Sequence, residues 1–585
     1  MDNQRNLILA VVLCGLLLLG WDAAMRFFYP DAMNPPVTAA AREDSPVERA
    51  AARTDIGSTQ AVERQVDLAT QLSAPGRVEI AGKRMHGTVN ARGAQIDDIT
   101  LDDHRQDVAR GSGPIRLFAP DGTTAEQFAR FGFLANGQPA TDENTPWQVS
   151  GGPLAPGRPV TLTHQSTGGQ RYTVELTIDD QYMITARQTV ANPGGNAVVV
   201  QPYGAVERTS RTASSDTWNV HSGPIGTFAG AVNFDTDYDD VSEAGSLQPP
   251  GTPEWLGFTD IYWMSALIPQ EGARADGTFR ALGNQQFRAD LIYQPVTLAP
   301  GQQYSVTTQL FAGAKESRVL DAYQEAGVAQ FGLAIDWGWF RWFMQPILYV
   351  LLWLFELVGN FGVAIILLTV LVRGLLFPIA QKQFASFAAM RALQPKMKAL
   401  QERYKDDKPK MQQEIMAMYK EEKVNPLAGC LPTLLQIPIF FALYKVLIVA
   451  IEMRHQPFAL WIRDLSAPDP AHVLNLFGLL PFDVPGFLAI GPLAILLGVT
   501  MWLTFRMTPI SDPIQQQMFA IMPWVLMFVM APFSAGLLLY WVTSNVLTVA
   551  QQAYLYSKHP QLKAAAEAER AEKARAAERA KSERV

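Results

Sequence analysis

Cysteine is nearly missing from this chain: Cys14 and Cys430 are the only two in 585 residues. Both fall in apolar runs, so there is no disulfide framework and no Cys/His spacing for a structural metal. Histidine is scarce too, with seven residues. His86, His104, His164 and His221 follow no ligand spacing. HExxH, GxSxG, Walker A and GxGxxG are lacking in any suitable context, which removes the usual grounds for hydrolase or nucleotide-driven chemistry. Charged residues make up only 18% and hydrophobic residues 48%, against about 25% charged in a typical soluble protein. That balance excludes a disordered polymer, a collagen-like fibre and a small disulfide scaffold. The length alone suggests about three or four domains.

Lysine is also thin between residues 30 and 335, where only Lys83 and Lys315 occur. This stretch has 35 acidic against 22 basic residues, a net −13 in a chain of net −7, so the remainder is basic. Residues 1–29 hold the apolar run LILAVVLCGLLLLGW with Trp21 at its edge. Bulky side chains stand where a cleavage site needs small ones, so an uncleaved signal anchor is expected. Residues 30–74, rich in Ala, Pro and charge, read as a flexible linker. From 75 to 335, short alternating runs such as RYTVELTI and YMITARQTV are separated by Gly, Pro and Asp turns. They predict one large all-β sandwich. An acidic, Lys-poor β domain after a signal anchor is expected on the non-cytoplasmic side.

The remainder is membrane-like. Residues 336–356 are very aromatic and contain Arg341, Gln345, Pro346 and Glu356, which fits an amphipathic helix lying in the interface. Spans are expected at 357–377, 424–450 and 487–505. A single helix over 518–550 would be about 50 Å long, too long for one crossing of roughly 30 Å. Pro532-Phe533-Ser534 breaks it, giving spans at 518–533 and 534–556. With the anchor the total is six. The count places the basic segment 378–423 and the basic tail 557–585 on one side with the N-terminus, and the 451–486 loop, poor in basic residues, on the other.

Arg373 lies in an apolar span, four residues after Thr369 and on the same helix face. An intramembrane Arg costs between a few and more than ten kcal/mol unless solvated. Two readings stand: snorkelling toward the basic segment, or facing a water-filled cavity. Gln436 mid-span, and Tyr540, Trp541, Ser544 and Asn545 on adjacent faces of the last span, either bond to neighbouring helices or share that cavity. Titratable coupling groups such as a proton-driven transporter uses are scarce in these spans. The segment 378–423 reads as a helical hairpin, with Asp406-Asp407-Lys408-Pro409 starting its second helix. Met397, Arg403, Lys405, Met411 and Met418 give it either a solvated amphipathic surface or a basic, Met-bearing surface for a partner.

The order of segments, together with VLVRGLLFP, MRALQPKMKALQERYKDDKPKMQQEIMAMYKEEKVNPLAGCLPTLLQIPIFFALYKVL, RHQPFALWIRDLSAPDP, SDPIQQQMFAIMPW and FSAGLLLYWVTSNVLTVAQQ, strongly resembles the YidC membrane-protein insertases of Gram-negative bacteria, within the YidC/Oxa/Alb family. The close likeness covers about 330–557. It implies a polytopic α-helical membrane protein with a five-helix insertase core and a large periplasmic β-supersandwich, similar to the galactose-mutarotase fold. It also implies a positively charged hydrophilic groove open to cytoplasm and lipid. Arg373 matches the family's charged groove position, and Thr369, Gln436, Ser544 and Asn545 match or neighbour groove-lining ones. Tyr540-Trp541 stands where many relatives have Tyr-Tyr. The implied function is insertion and chaperoning of inner-membrane proteins without covalent catalysis or a cofactor. The implied partners are nascent inner-membrane proteins, Sec translocon components, membrane lipids and, through hairpin and tail, the ribosome and the signal recognition particle or its receptor.

Overall fold

The computed structural model describes residue 56 and residues 66–558, apart from 110, 215–219, 339, 405–406, 423–430, 478–479, 481–483, 485–488 and 508–512. Of 382–392, 394–395, 398, 408, 431–436, 513–516, 556 and 558 it describes the backbone alone. The signal anchor expected at 1–29, most of the linker at 30–74 and the tail beyond 558 lie outside the described residues. The end of the expected linker is a short helix, α1 (Leu68–Leu72), because the Asp67 carboxylate caps it by accepting from Thr70 N at 3.0 Å.

Among the described residues twenty strands follow, in two layers. In the first, Gln127–Ala135 and Gln286–Tyr293 flank Val198–Thr209, both antiparallel to it. In the second, Arg158–Gln165, Arg171–Ile178, Met183–Ala191, Gln303–Ala314 and Trp263–Pro269 run in antiparallel order. The layers join where Arg77–Ala81 meets the strand Gln148–Ala155 in parallel at Ile80 and Leu154. Alternation places Val174, Leu176, Ile184 and Leu310 on one inner face and Phe131, Phe133, Val206 and Leu291 on the other, all essentially inaccessible. Two short helices accompany the sheets, α2 (Tyr238–Ala244) and α3 (Ser317–Glu325).

Alternation in the first layer predicts a wet outer face, yet that face is also buried. Arg130 donates to Glu207 at 3.0 Å, and Arg288 and Arg280 donate to the two oxygens of Asp290 at 2.6 and 2.8 Å. Charges can leave water in this way only because they meet partners. Ile56 closes part of the same face against Leu134, Tyr203, Ala205 and Ile292.

Beyond the sheets run α4 (Arg341–Val358), α5 (Phe361–Ala392), α6 (Gln394–Arg403), α7 (Lys408–Glu421), α8 (Leu431–Val449), α9 (Pro492–Met507), α10 (Pro513–Met530) and α11 (Ala535–Lys558). The break between α10 and α11 falls on Pro532-Phe533-Ser534. Pro378 does not end α5, which continues to Ala392. The missing N–H costs one backbone bond, and several turns on either side carry the helix across. Among the described helices only α4 combines 18 residues with enough apolar character to cross a membrane. The segments Phe361–Leu375, Ile437–Val449, Pro492–Met507 and Gln517–Met530 are apolar but shorter. The one helix that passes on length is thus the one read from the sequence as interfacial. Its Met344, Leu348, Leu351 and Leu352 are buried, whereas Trp342 and Trp353 are exposed.

An apolar core runs from the β domain into the helices, and polar contacts add to it. Ser317 donates from both N and Oγ to Glu452 Oε1, at 2.9 and 2.7 Å. Arg454 donates to the carbonyls of Arg105 and Gln106. Tyr349 donates its hydroxyl to Asp321. Next to this junction, burial would raise the Glu316 pKa, but hydrogen bonds from His104, Arg84 and Tyr182, with the Arg84 charge, pull it down to about 2. Lys315 is buried beside it, donating to Thr259 Oγ1 at 2.8 Å. Burial pushes its pKa down to about 7, against the pull of Asp260 and Asp336.

Glu126 supplies a pH test of the domain. Burial, with Asp121 and Glu207 nearby, pushes its pKa up to about 7 despite the hydrogen bond from Gly122 N. A carboxyl raised on folding favours the folded state while protonated, so its contribution is full below the ordinary pKa and lost as pH rises through about 7. Glu126→Gln should therefore raise the Tm of the full chain at pH 8 and change it little at pH 4.5. A Tm difference that ignores pH would refute this origin.

Candidate functional site

The helices bring Arg373 of α5 against Ser544 of α11. Arg373 donates to the Ser544 hydroxyl from Nε at 3.2 Å and from an Nη at 2.5 Å. Ser544 is buried and Arg373 half-buried. No other hydrogen bond and no ion pair engages this guanidinium among the described residues. A hydrogen bond to a charged group contributes about 1.5–3 kcal/mol. That falls short of the higher costs of placing an Arg in an apolar medium.

Lys445 of α8 has a different environment. Its ammonium meets Asp336 at 3.0 Å, and Asp336 also accepts from His221 N at 3.1 Å. One cation is therefore tied to a carboxylate at the β-domain junction, and the other, among the described residues, donates to one neutral hydroxyl.

The remaining residues expected in the site are dispersed around this pair. Thr369 is buried and donates to its own helix at Ile365 O, 2.6 Å away. Tyr540 is buried, and the Trp541 ring stands 5.0 Å from that of Phe440. Asn545 turns to α9, donating to Thr500 Oγ1 at 3.2 Å. The Gln436 side chain lies outside the described residues. Thr500 was not expected here. Its trace in the sequence is a pair of hydroxyls four residues apart, Thr500 and Thr504, in an otherwise apolar run.

On the β-domain side, one loop covers the starts of three helices. The Phe458 ring fills the space beside Gly362 at the start of α5, where any Cβ would collide with it. Asp469 does the same at Gly491 and accepts from Leu493 N at 3.0 Å, capping α9. Ala535 N and Gly536 N, opening α11, donate to Ala467 O and Leu465 O at 2.8 and 2.9 Å. At the β-domain end, the loop is thus tied to all three helix starts.

The hairpin lies beyond the far end of α5. Asp407 starts α7 by accepting from Lys410 N, with Pro409 in the first turn. Met397 and Met418, expected on a partner surface, are instead buried against each other with Leu393. The thioether of Met397 also accepts from the Tyr419 hydroxyl at 3.4 Å. Amphipathic spacing marked the buried seam between the two helices, not the outside. Arg403 is exposed and Met411 half-buried, and Lys405 lies outside the described residues.

The model of the 60Kd inner membrane protein family matches residues 353–563, and that of the YidC periplasmic domain matches 77–350. The membrane protein insertases YidC of Zymomonas mobilis and Nitrobacter hamburgensis are each 40% identical to this chain. The matches cover 95% and 96% of it, and 96% of each relative. The chain belongs to the YidC family of membrane protein insertases. A solved active YidC insertase with its first transmembrane domain resolved is similar over 82% of this chain and 92% of that one, at 19% identity and a TM-score of 0.37. The β layers are accordingly a YidC periplasmic domain, and the protein is an inner-membrane insertase, not a catalytic enzyme.

The two cations of this YidC chain should respond differently to removal. Lys445→Met leaves Asp336 in a half-dry site without its counter-ion, and breaking such a pair costs about 3 kcal/mol or more. Arg373→Met leaves no carboxylate unpaired and should be neutral or stabilising. Thermal unfolding of both variants in detergent checks this, and an equal loss would mean that Arg373 serves the fold.

Proposed function

We propose that this chain inserts inner-membrane proteins and helps them fold, alone or with the Sec translocon. Client segments enter a hydrophilic groove lined by Arg373, Thr369, Gln436, Tyr540, Trp541, Ser544 and Asn545. The observation that carries this reading is the Arg373 guanidinium, which has one neutral hydroxyl as its hydrogen-bond partner among the described residues. A charge in that position is stable when water reaches it. It then attracts the acidic or polar flank of an incoming segment, while the groove lowers the flank's desolvation cost. The apolar part of the client leaves sideways into lipid, driven by its own burial, so no nucleotide is consumed.

The placement in the membrane follows. Six spans put both termini and the α6–α7 hairpin in the cytoplasm and the β domain in the periplasm. The stitched helix starts support a groove closed toward the periplasm and open toward cytoplasm and lipid. The two spans read over 518–550 are each near the lower length limit for a bilayer core of roughly 30 Å, which favours local thinning. α5, with 32 residues, is about 48 Å long and projects beyond the membrane. It carries the hairpin, whose exposed Arg403 joins Lys405 and Met411 as a surface for the ribosome, the signal recognition particle or its receptor.

Insertion of a short phage-coat-type client into proteoliposomes tests the groove. Protease protection of the translocated flank should be lost with Arg373→Ala and kept with Arg373→Lys. Normal protection with both would mean that the charge only snorkels.

A further inference from the structure

The segment between α8 and α9 carries large apolar side chains where a water-facing loop carries polar ones. Leu474, Leu476, Phe477 and Leu480 are all exposed, Phe477 by 60%, and an earlier turn exposes Leu460 by 88%. From Val473 to Leu480 the sequence VLNLFGLL has Asn475 as its one polar side chain. The backbone at Leu476, Phe477 and Leu480 is held in place. Phe477 N donates to His472 O at 2.8 Å, Leu476 N to Val473 O at 3.1 Å and Leu480 N to Asn475 O at 3.0 Å. Leu460, Leu476 and Phe477 sit at φ of 57°, 50° and 61°, a left-handed region that bulky residues seldom adopt. Such a conformation persists where the surroundings over-determine it.

Both turns grow from one node. The Asp469 carboxylate accepts from Trp461 Nε1 at 2.9 Å, beside Leu460, and from Ala471 N at 3.1 Å, at the base of the second turn. Its other oxygen caps α9 through Leu493 N. Val473 N donates to Ile490 O at 3.0 Å, closing the base. One turn further into α9, Ile495 and Leu496 are exposed as well. The apolar tips are therefore stiffly continuous with the apolar outer face of a helix.

We infer that these two turns form a wedge seated in the lipid leaflet on the β-domain side, with Leu460, Leu474, Leu476, Phe477 and Leu480 at the boundary between headgroups and acyl chains. Exposed apolar patches of this kind mark a membrane or partner surface. Their continuity with the Ile495–Leu496 face selects lipid, and a charge-poor sequence suits that depth. The wedge sets the height of the α8–α9 junction, and with it the height of the loop that covers the groove. The inference rests on the reading that α9 crosses the membrane.

The test uses the full chain in proteoliposomes after Cys14→Ser and Cys430→Ser. Single cysteines are placed by Leu474→Cys, Phe477→Cys, Leu496→Cys and, as a water-facing reference, Val108→Cys, each carrying an environment-sensitive fluorophore. Labels at 474 and 477 should emit at shorter wavelength than at 108. They should also be quenched several-fold less by iodide and strongly by lipids spin-labelled high on the acyl chain. Water-like behaviour at 474 and 477 with lipid-like behaviour at 496 overturns the wedge and leaves the span intact. Water-like behaviour at all three overturns the span and the wedge together. Shielding that spin-labelled lipids do not quench, and that disappears at one chain per vesicle, would assign the surface to a second copy and refute the lipid seat.

Discussion

A guanidinium cannot rest in hydrocarbon on a single hydroxyl. The hydrogen bond to Ser544 is worth a few kcal/mol at most, and the higher estimates for a dehydrated Arg run past ten. The groove proposed around Arg373 supplies the water that such a charge needs. On the β-domain side, Phe458, Leu465, Ala467 and Asp469 contact the starts of α5, α9 and α11. In the proposed reading, a covered end and a solvated charge together suit the helix bundle to moving a polar flank part of the way across a membrane.

The β domain is built to hold position. Its first layer is dry on both faces, because Arg130, Glu207, Arg288, Arg280 and Asp290 satisfy one another where a solvated surface would otherwise stand. Its contacts with the helices combine a shared apolar core with polar, directional ones: Ser317 to Glu452, Arg454 to two carbonyls, and Lys445 to Asp336. The directional contacts add a fixed orientation to the apolar seam, which alone tolerates sliding. The loop at the starts of α5, α9 and α11 is thereby tied to the β domain.

Much of this was legible in the sequence, and for identifiable reasons. RYTVELTI reads as a strand because its period of two survives in the structure: Tyr172, Val174, Leu176 and Ile178 are buried in turn. Pro532-Phe533-Ser534 reads as a break because length forbids one helix there. Asp407 and Pro409 mark a helix start through local chemistry. Other features needed the third dimension. Arg130 and Arg288 look solvent-facing until the register sets their strands on either side of Glu207. Met397 and Met418 follow a helical period that names a buried face but not its partner. Thr500 becomes part of the site only because Asn545 lies across from it. Short apolar stretches in α5, α8, α9 and α10 left the span count to charge bias, since length alone does not decide it.

The stitching of three helix starts to one loop also governs how the bundle can deform. Any motion that preserves those contacts must leave the β-domain end fixed, so the helices can splay only about that end, like rods clamped at a common base. Displacement then grows with distance from the clamp. For α11, with 24 residues and about 36 Å long, a tilt of about 5° moves the far end by about 3 Å and the clamped end hardly at all. Ser544 lies partway along that lever, so a modest tilt changes its separation from Arg373 without loosening the cover above it.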